Sequence, residues 1–415
     1  MEHIKTFCRR YIFAVLLGLL IGVVGYVFHH AIEVATQFRL AHPWLLLCLP
    51  VGGAAIALVY HVCGMDHDKG TNQVLITLRE DEPMRLRTAP LIFLSPTLTH
   101  LVGGSSGREG AALQLGASIA SKISKTLRFE EHDSRIFTAC GMAAGFSALF
   151  GTPLSAAVFS LEVLRIGVLQ YAALVPALIA SFTGYLVSTA LGSHPTFYAV
   201  SDLPGVTPIA ILQVTVLGIA CGLVARLFCE AMHKAHHLYD RHLPNAYIRA
   251  AVGGLLVLAL TAIVGLVHGG ILSYPIYNGA GGELIGAATG GGDVAPWSFL
   301  LKILFTAVTL GAGFKGGEIV PAFATGATFG CTLAPLLGLS ASFGGGAGMV
   351  ALFCGVTNCP LTSILLAYEL FGGAGLPLMA LTIAVAYPAS GYCSLYAQQS
   401  IAYCKNDLSE RGVKI

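Results

Sequence analysis

Apolar residues fall along this chain in blocks separated by short polar breaks. The blocks lie at about 11–28, 43–63, 89–103, 109–124, 136–150, 153–166, 170–192, 206–229, 247–271, 296–313, 319–339, 347–357, 360–371 and 375–397. A helix needs roughly 20 apolar residues to cross a bilayer. Some blocks meet that length, others are too short to cross cleanly, and many are interrupted by Gly or Pro. Irregular backbone at membrane depth survives only where protein or a water-filled cavity surrounds it. The broken blocks are therefore expected to lie inside a bundle, which is where transporters build their sites.

Composition supports this picture. The 415 residues are 55% hydrophobic and 11% charged, whereas a soluble domain carries about 25% charged residues. No soluble fold of this size hides so much apolar surface, so the chain is predicted to be an all-α polytopic membrane protein. Its first block, Tyr11–Phe28, is preceded by Arg9 and Arg10. The opening is too long for a removable signal and lacks a small-residue cleavage site, so it is expected to be retained as a first span. Lys5, Arg9 and Arg10 near one end, and Lys405, Arg411 and Lys414 near the other, place both termini in the cytoplasm, with an even number of crossings of a plasma (inner) membrane. A net charge of +2 spread over segment ends gives no reason to expect nucleic acid. The eleven cysteines include no C-x-x-C pair and read as small core residues rather than disulfides or metal ligands. No cofactor is expected.

The two halves of the chain correspond. Phe150-Gly-Thr-Pro-Leu-Ser followed by Leu161-Glu162-Val163 recurs as Thr357-Asn-Cys-Pro-Leu-Thr followed by Tyr368-Glu369-Leu370, with proline and glutamate nine residues apart each time and the copies 207 residues apart. A second pair is Gly107-Arg-Glu-Gly through Gly116 against Gly317-Glu-Ile-Val through Gly326. Two pairs at nearly one offset imply an internal duplication, with a first membrane repeat over 1–203 and a second over 204–415. An odd number of crossings per half makes such a repeat inverted.

Three stretches carry chemistry. In Gly103-Gly-Ser-Ser-Gly-Arg-Glu-Gly-Ala-Ala-Leu-Gln-Leu-Gly116 a glycine-rich turn feeds a helix, whose free N–H groups and positive dipole end form an anion site without a fixed cation. Glu109 lies in the first turn of that helix, and a carboxylate at membrane depth points to function. Its charge and a passing anion compete for the same N–H groups, which couples gating and protonation to ion movement. The bland alternative is a capping glutamate paired with Arg108. The second stretch, Gly311-Ala-Gly-Phe-Lys-Gly-Gly-Glu-Ile-Val-Pro-Ala-Phe323, repeats the device, with Pro321 allowed in the first turn. N–H groups around Glu318 and Ile319 are expected to meet the first set. Glu318 is a candidate proton relay, or else a plain acidic helix start, with Lys315 as a candidate partner. The third stretch, Gly64-Met-Asp-His-Asp-Lys-Gly-Thr-Asn-Gln-Val74, is a polar loop entering a helix, where Thr71 and Asn72 either donate to an anion or merely cap.

In this order the three stretches resemble the CLC family of chloride channels and anion/proton antiporters, over nearly the whole chain. Gly107-Arg108-Glu109-Gly110 resembles its gating-glutamate signature, and Gly317–Pro321, including Ile319 and Val320, its second anion-coordinating loop. Gly70-Thr71 falls where the family has the glycine-serine of its first loop. Tyr396 falls where it has the tyrosine closing the central anion site. The resemblance implies an inverted repeat of tilted, partly broken helices, a homodimer with one pathway per subunit, and a transporter or channel for a small inorganic anion rather than an enzyme.

The departures point to one branch. Val163 stands where the family's chloride transporters carry an inward-side glutamate, the first loop reads Gly-Thr-Asn-Gln-Val, Glu318 stands where isoleucine is usual, and no nucleotide-binding tail follows the last block. This combination resembles the branch that exports fluoride in exchange for protons, although that branch often has methionine where this chain has Thr71. Fluoride is small and strongly hydrated, so several convergent donors must replace its shell. Thr71, Tyr396 and the two helix starts can supply them. The alternative within the family is a chloride or nitrate channel, or a chloride/proton antiporter. A remote one is an intramembrane serine protease, because Gly104-Ser-Ser-Gly107 matches a four-residue motif with His100 or His268 as base. The run His233, His236, His237, His242 has helical spacing for a metal but reads as a solvated helix end. Glu162 and Glu369 are expected to have capping or interfacial roles.

Overall fold

The structure, a computed structural model, describes residues 2–414 apart from 67, 81–83, 85–86, 404 and 406–409. His67 of the first polar loop, and the side chains of Lys5, Arg411 and Lys414, lie outside that description.

The first half of the chain forms α1 (Glu2–Ala41), α2 (Leu49–Val62), α3 (Thr71–Glu80), α4 (Thr88–Val102), α5 (Glu109–Thr126), α6 (Glu131–Phe150), α7 (Pro153–Glu162) and α8 (Tyr171–Ala190). The second half forms α9 (Pro208–His242), α10 (Ala246–Val267), α11 (Gly282–Thr289), α12 (Ser298–Gly311), α13 (Ile319–Leu333), α14 (Ala341–Thr357), α15 (Pro360–Phe371) and α16 (Leu376–Ala389). The expected boundary at 203/204 falls in the connection between α8 and α9. Six helical stretches among the described residues are long and apolar enough to span a bilayer, and five shorter apolar helices accompany them. The protein is an integral, multi-pass membrane protein. Residues 11–28 prove to be only the middle of the first span, because α1 runs for 40 residues, about 60 Å at the usual helical rise. It therefore crosses obliquely or projects beyond the lipid. A small three-stranded sheet, β1 (Arg165–Ile166), β2 (Ser400–Tyr403) and β3 (Glu410–Lys414), adds to the helical expectation. β1 pairs parallel to β2 and β2 antiparallel to β3.

Local chemistry sets several helix ends. Thr207 Oγ1 accepts from the Ala210 N–H at 3.1 Å ahead of Pro208, and Asn245 Oδ1 accepts from Tyr247 and Ile248, as good N-caps do. The N-cap residues of α7 and α15, Thr152 and Cys359, make no such bond. Instead each helix borrows the glutamate that ends the other. Glu369 accepts from the Leu154 and Ser155 N–H groups at 2.8 and 2.9 Å and from the Ser155 hydroxyl. Glu162 accepts from the Leu361 and Thr362 N–H groups at 3.0 and 2.8 Å and from the Thr362 hydroxyl at 2.6 Å. The two matched glutamates are thus reciprocal caps, satisfying helix-start amides that lipid cannot.

Behind the two glycine-rich stretches, helix pairs approach until backbone touches backbone. A Cβ on Gly116 of α5 would lie 2.1 Å from the Gly141 carbonyl of α6, and one on Gly330 of α13 would lie 2.0 Å from the Gly344 carbonyl of α14. Only glycine permits that spacing. Gly330→Leu is expected to destabilise the protein by about 3 kcal/mol or more, since no rotamer relieves a clash with backbone. Gly286→Ala in α11, where nothing lies within 4 Å of the added carbon, is expected to be neutral or slightly stabilising. Thermal unfolding in detergent, followed by size exclusion, measures both; equal melting of Gly330→Leu and the parent protein would contradict the packing argument.

Candidate functional site

Both glycine-rich stretches break a helix inside the protein. α4 ends at Gly103, whose φ of 87° is left-handed, and the chain re-enters helix at Glu109. Likewise α12 gives way through Gly313, φ 99°, before α13 starts at Ile319. The N-cap residues, Arg108 and Glu318, make no side-chain capping bond, so the first-turn N–H groups of α5 and α13 are left for another acceptor.

The two helix starts meet. Gly107 and Gly317 form an antiparallel bridge, the Gly107 N–H donating to the Gly317 carbonyl at 2.7 Å and the Gly317 N–H to the Gly107 carbonyl at 2.8 Å. These two amides are spent on each other, so the glycines contribute close approach rather than free donors. Glu109 is fully buried and lies across the bridge. Its Oε2 sits 2.1 Å from where a Cβ on Gly107 would be and 3.1 Å from one on Gly317. The Val320 N–H of the opposite helix donates to Oε2 at a long 3.4 Å, while Oε1 has no partner. A carboxylate thus occupies a pocket built from both helix starts and is only partly bonded there. It forms no ion pair with Arg108 among the described residues, contrary to the capping-pair alternative.

Cavities reach this point from two sides. One, of about 620 Å³, is lined by Arg108, Glu109 and Val320 together with the far end of α1. The other, of about 260 Å³, is lined by Thr71, Asn72, Gln114, Glu318 and Tyr396. The two carboxylates therefore face different cavities, with the Gly107–Gly317 bridge between them. Thr71 Oγ1 accepts from Gln114 Nε2 at 3.1 Å and lies 3.0 Å from where a Cβ on Gly110 would be, which packs the first loop against α5. Asn72 Oδ1 is used to accept from the Gln398 N–H at 3.1 Å. Tyr396 is 2% exposed and its hydroxyl has no partner, an unmet donor facing an anion-sized space. Ile319 is buried in the first turn of α13. Lys315 does not reach Glu318, as expected from sequence, but pairs with Asp68 at 3.3 Å over the Tyr60 ring.

A network absent from the sequence reading holds Tyr396 in place. Gln399 Nε2 donates to the carbonyls of Val163 and Thr357 at 3.0 and 2.8 Å, and its Oε1 accepts from Asn358 Nδ2 and the Ser394 hydroxyl. The Ser394 hydroxyl in turn accepts from the Tyr396 N–H at 3.1 Å. Isolated Gln, Asn and Ser residues give no spacing signal, so these anchors emerge only in three dimensions. Lys302, a lone lysine in the 296–313 block, is the missed residue that its own sequence context marks.

The rival chemistries find no support in this geometry. Ser105 bonds to Thr306 and Lys302, Ser106 has no partner, and His268 stacks on Tyr274, so neither serine touches His100 or His268. Among the described residues no group of three His, Cys, Asp or Glu side chains could hold a metal ion. His233 and His236 line the Tyr396 cavity and remain solvent-accessible.

Known proteins share both the sequence and the fold. The pattern described as "Voltage gated chloride channel" matches residues 51–391. A chloride/fluoride channel protein of Pseudomonas syringae pv. tomato is 37% identical over 94% of this chain and 86% of its own length. A solved CLC-type fluoride/proton antiporter superposes with a TM-score of 0.90 at 32% identity, covering 95% of this chain and 98% of that one. A slow cyanobacterial Cl-/H+ antiporter superposes at 0.76 with 22% identity, covering 92% and 94%, which speaks for the fold alone. With its broken helix starts, buried glutamate and matching architecture, this chain belongs to the voltage-gated chloride channel family and has the CLC fold.

Proposed function

We propose that this protein exports fluoride in exchange for protons, with Glu109 as the gating and coupling residue. The observation that carries the reading is the position of the Glu109 carboxyl: fully buried, across the junction of two helix starts, at the wall of the larger cavity, with one oxygen unbonded. When the carboxyl is charged it fills the pocket that an anion needs, and when protonated it yields, so anion and proton cannot both be ignored by the same gate. Thr71, the Tyr396 hydroxyl and the amides of Gly110, Ile319 and Val320 are the donors we assign to the anion. Arg108 supplies charge at the mouth. Glu318, on the second cavity, relays the proton.

Selectivity for fluoride rests on the likeness to the fluoride/proton antiporter and the chloride/fluoride channel protein, on Glu318, and on Val163. The buried Val163 contributes only a backbone carbonyl, to Gln399. Chloride is the second reading, favoured by the Thr71 hydroxyl at the cavity wall, where the family has a serine. We further assign two repeats meeting at 203/204, a homodimer with one pathway per subunit, and a plasma-membrane location with cytoplasmic termini. On that orientation the Tyr396 cavity faces inward and the Arg108 cavity outward. Arg9 and Arg10, which clamp Asp133 at 2.8 and 2.6 Å, then lie on the inner face.

Three measurements in proteoliposomes test this. Glu109→Ala is expected to reduce fluoride-driven proton movement by at least about tenfold, read with a pH electrode, because no other group can carry the proton through the gate; undiminished proton flux would remove Glu109 from the coupling step. Ion-selective electrodes are expected to record fluoride efflux well above chloride efflux, and a chloride rate equal to or above fluoride would leave the family standing without the branch. Tyr396→Phe removes one unpartnered hydroxyl and is expected to weaken fluoride binding by about 2- to 12-fold, the effect of one hydrogen bond, while the protein stays folded.

A further inference from the structure

The larger cavity is lined by two arginines, Arg39 and Arg108, and the gate makes no use of Arg39. Arg39, in the last turn of α1, is 4% exposed, and Lys302 of α12 is fully buried. Neither has a carboxylate within 4 Å among the described residues, and the same is true of Arg108. Lys302 donates to the Ser105 hydroxyl at 3.0 Å and to the Tyr277 and Gly279 carbonyls at 3.1 and 2.8 Å, all neutral acceptors. With Asn278, whose side chain donates to the Gly103 carbonyl at 2.8 Å, it straps residues 277–281 over the break after α4. Arg39 threads between the strap and the break: its Cδ lies 3.2 Å from where a Cβ on Gly103 would be, and its Nη2 3.2 Å from one on Gly279.

Five buried polar atoms on the wall of this cavity are left without any partner: His29 Nδ1, Glu109 Oε1, Ser193 Oγ, and Arg39 Nε and His100 Nε2, the last two on side chains 4% and 2% exposed. Buried cations without counter-ions are costly, and orphaned buried donors are rare. The acids in the same cavity stand differently. Glu33 is 55% exposed and Glu283 is exposed, both at the rim, and Glu109 lies in its own pocket. Arg39 thus lies deep while Glu33 and Glu283 are exposed, and its guanidinium has no carboxylate partner among the described residues.

We propose that a small inorganic anion of the halide class binds there, held by the Arg39 guanidinium with Arg108 and the His100 Nε2–H as further partners. The site is distinct from the amide pocket of Glu109 and lies on the outer side of the gate. It receives the ion that leaves the gate, and its occupancy supplies the counter-ion that the buried Arg39 lacks. This rests on the reading that anions cross at Glu109, yet binding at Arg39 does not require that Glu109 couple protons.

Sodium fluoride titrated into the detergent-purified protein in chloride-free buffer, followed by calorimetry, is expected to report one more bound fluoride per chain for the parent than for Arg39→Met. Arg39→Met is also expected to raise the half-saturating fluoride on the Arg39 side about tenfold, the loss of one charge-assisted contact, and Arg39→Lys is expected to recover part of it. An unchanged count and unchanged half-saturation in a monodisperse Arg39→Met would overturn the site. If that variant does not fold, crystals of the parent grown in sodium bromide decide: an anomalous peak between Arg39 and Arg108 supports it, and a peak confined to the Glu109 pocket refutes it. Glu109→Ala serves as the control. Retention of the Arg39-dependent count there supports an anion site, whereas its loss shows that the cations serve only to receive a displaced Glu109 carboxyl. Failure of the gating reading shows differently, as proton flux that survives Glu109→Ala with the binding count intact.

Discussion

The backbone bridge between Gly107 and Gly317 is the constraint on which the rest of the site depends. Two helices can start face to face inside a membrane protein only if something bonds the polar groups of their leading turns. Here each turn bonds the other, at 2.7 and 2.8 Å. That contact fixes how closely α5 and α13 approach and leaves just enough room for one carboxyl on top. A side chain on Gly107 would displace that carboxyl, and one on Gly316 would strike Ser106 at 2.4 Å. The backbone contacts of α5 with α6 and of α13 with α14 set the same separation from behind. Helix packing and the width of the gate are thereby one geometric problem.

Much of this was legible in the chain itself. Charge content and block lengths dictated a helical membrane protein, because lipid tolerates little else. The Pro153–Glu162 and Pro360–Glu369 spacing announced a symmetric pair, and the glutamates prove to cap each other's helices. Glu109 stood out as a carboxylate with apolar neighbours. What stayed hidden depended on contacts between distant residues. Lys315 looked like a partner for Glu318 because it is three residues away, yet the fold brings Asp68, from the other half of the chain, to it instead. Gln399, Asn358 and Ser394 carry no pattern, and their role is to tie the Tyr396 loop to the ends of α7 and α14. The extent of α1 was understated because hydropathy marks the part in lipid, whereas the helix continues past it on both sides.

The two cavities differ in how their charges are balanced, and this bears on direction. The Tyr396 cavity is lined by Lys315, which is paired with Asp68, and by the exposed Lys69. In the Arg108 cavity the buried Arg39 has no ion pair among the described residues, while Glu33 and Glu283 are exposed and Glu109 closes the inner end. The Lys315 ammonium of the Tyr396 cavity is thus already paired, whereas the Arg39 cavity offers an anion a buried guanidinium without an ion pair. On the proposed orientation an exporter releases fluoride into this cavity. A holding site there slows release at low outside concentration, but it also favours removal of the ion from the gate, leaving the amide pocket free for the returning carboxyl.

On the proposed function the proton leaves the gate toward the Tyr396 cavity, and counting the available carboxylates narrows the route. Glu162 adjoins the position where the family's chloride transporters place their inward glutamate, but both of its oxygens are committed to the start of α15, at 2.8 to 3.0 Å from backbone N–H groups. Withdrawing it would uncap a helix in a place without water to replace the bonds. Asp68 is held by Lys315 and is 4% exposed. Glu318 is the acid in that cavity with neither commitment: it sits at the N-cap of α13 without a capping bond and faces the space shared with Thr71 and Tyr396. Because it lies one residue beyond Gly317, it is also fixed directly to the bridge on which Glu109 rests. A proton released by Glu109 on one side of that bridge thus meets, on the other, a carboxyl whose position is set by the same two hydrogen bonds. This shared anchoring is the physical basis for giving Glu318 the relay that Val163 cannot perform.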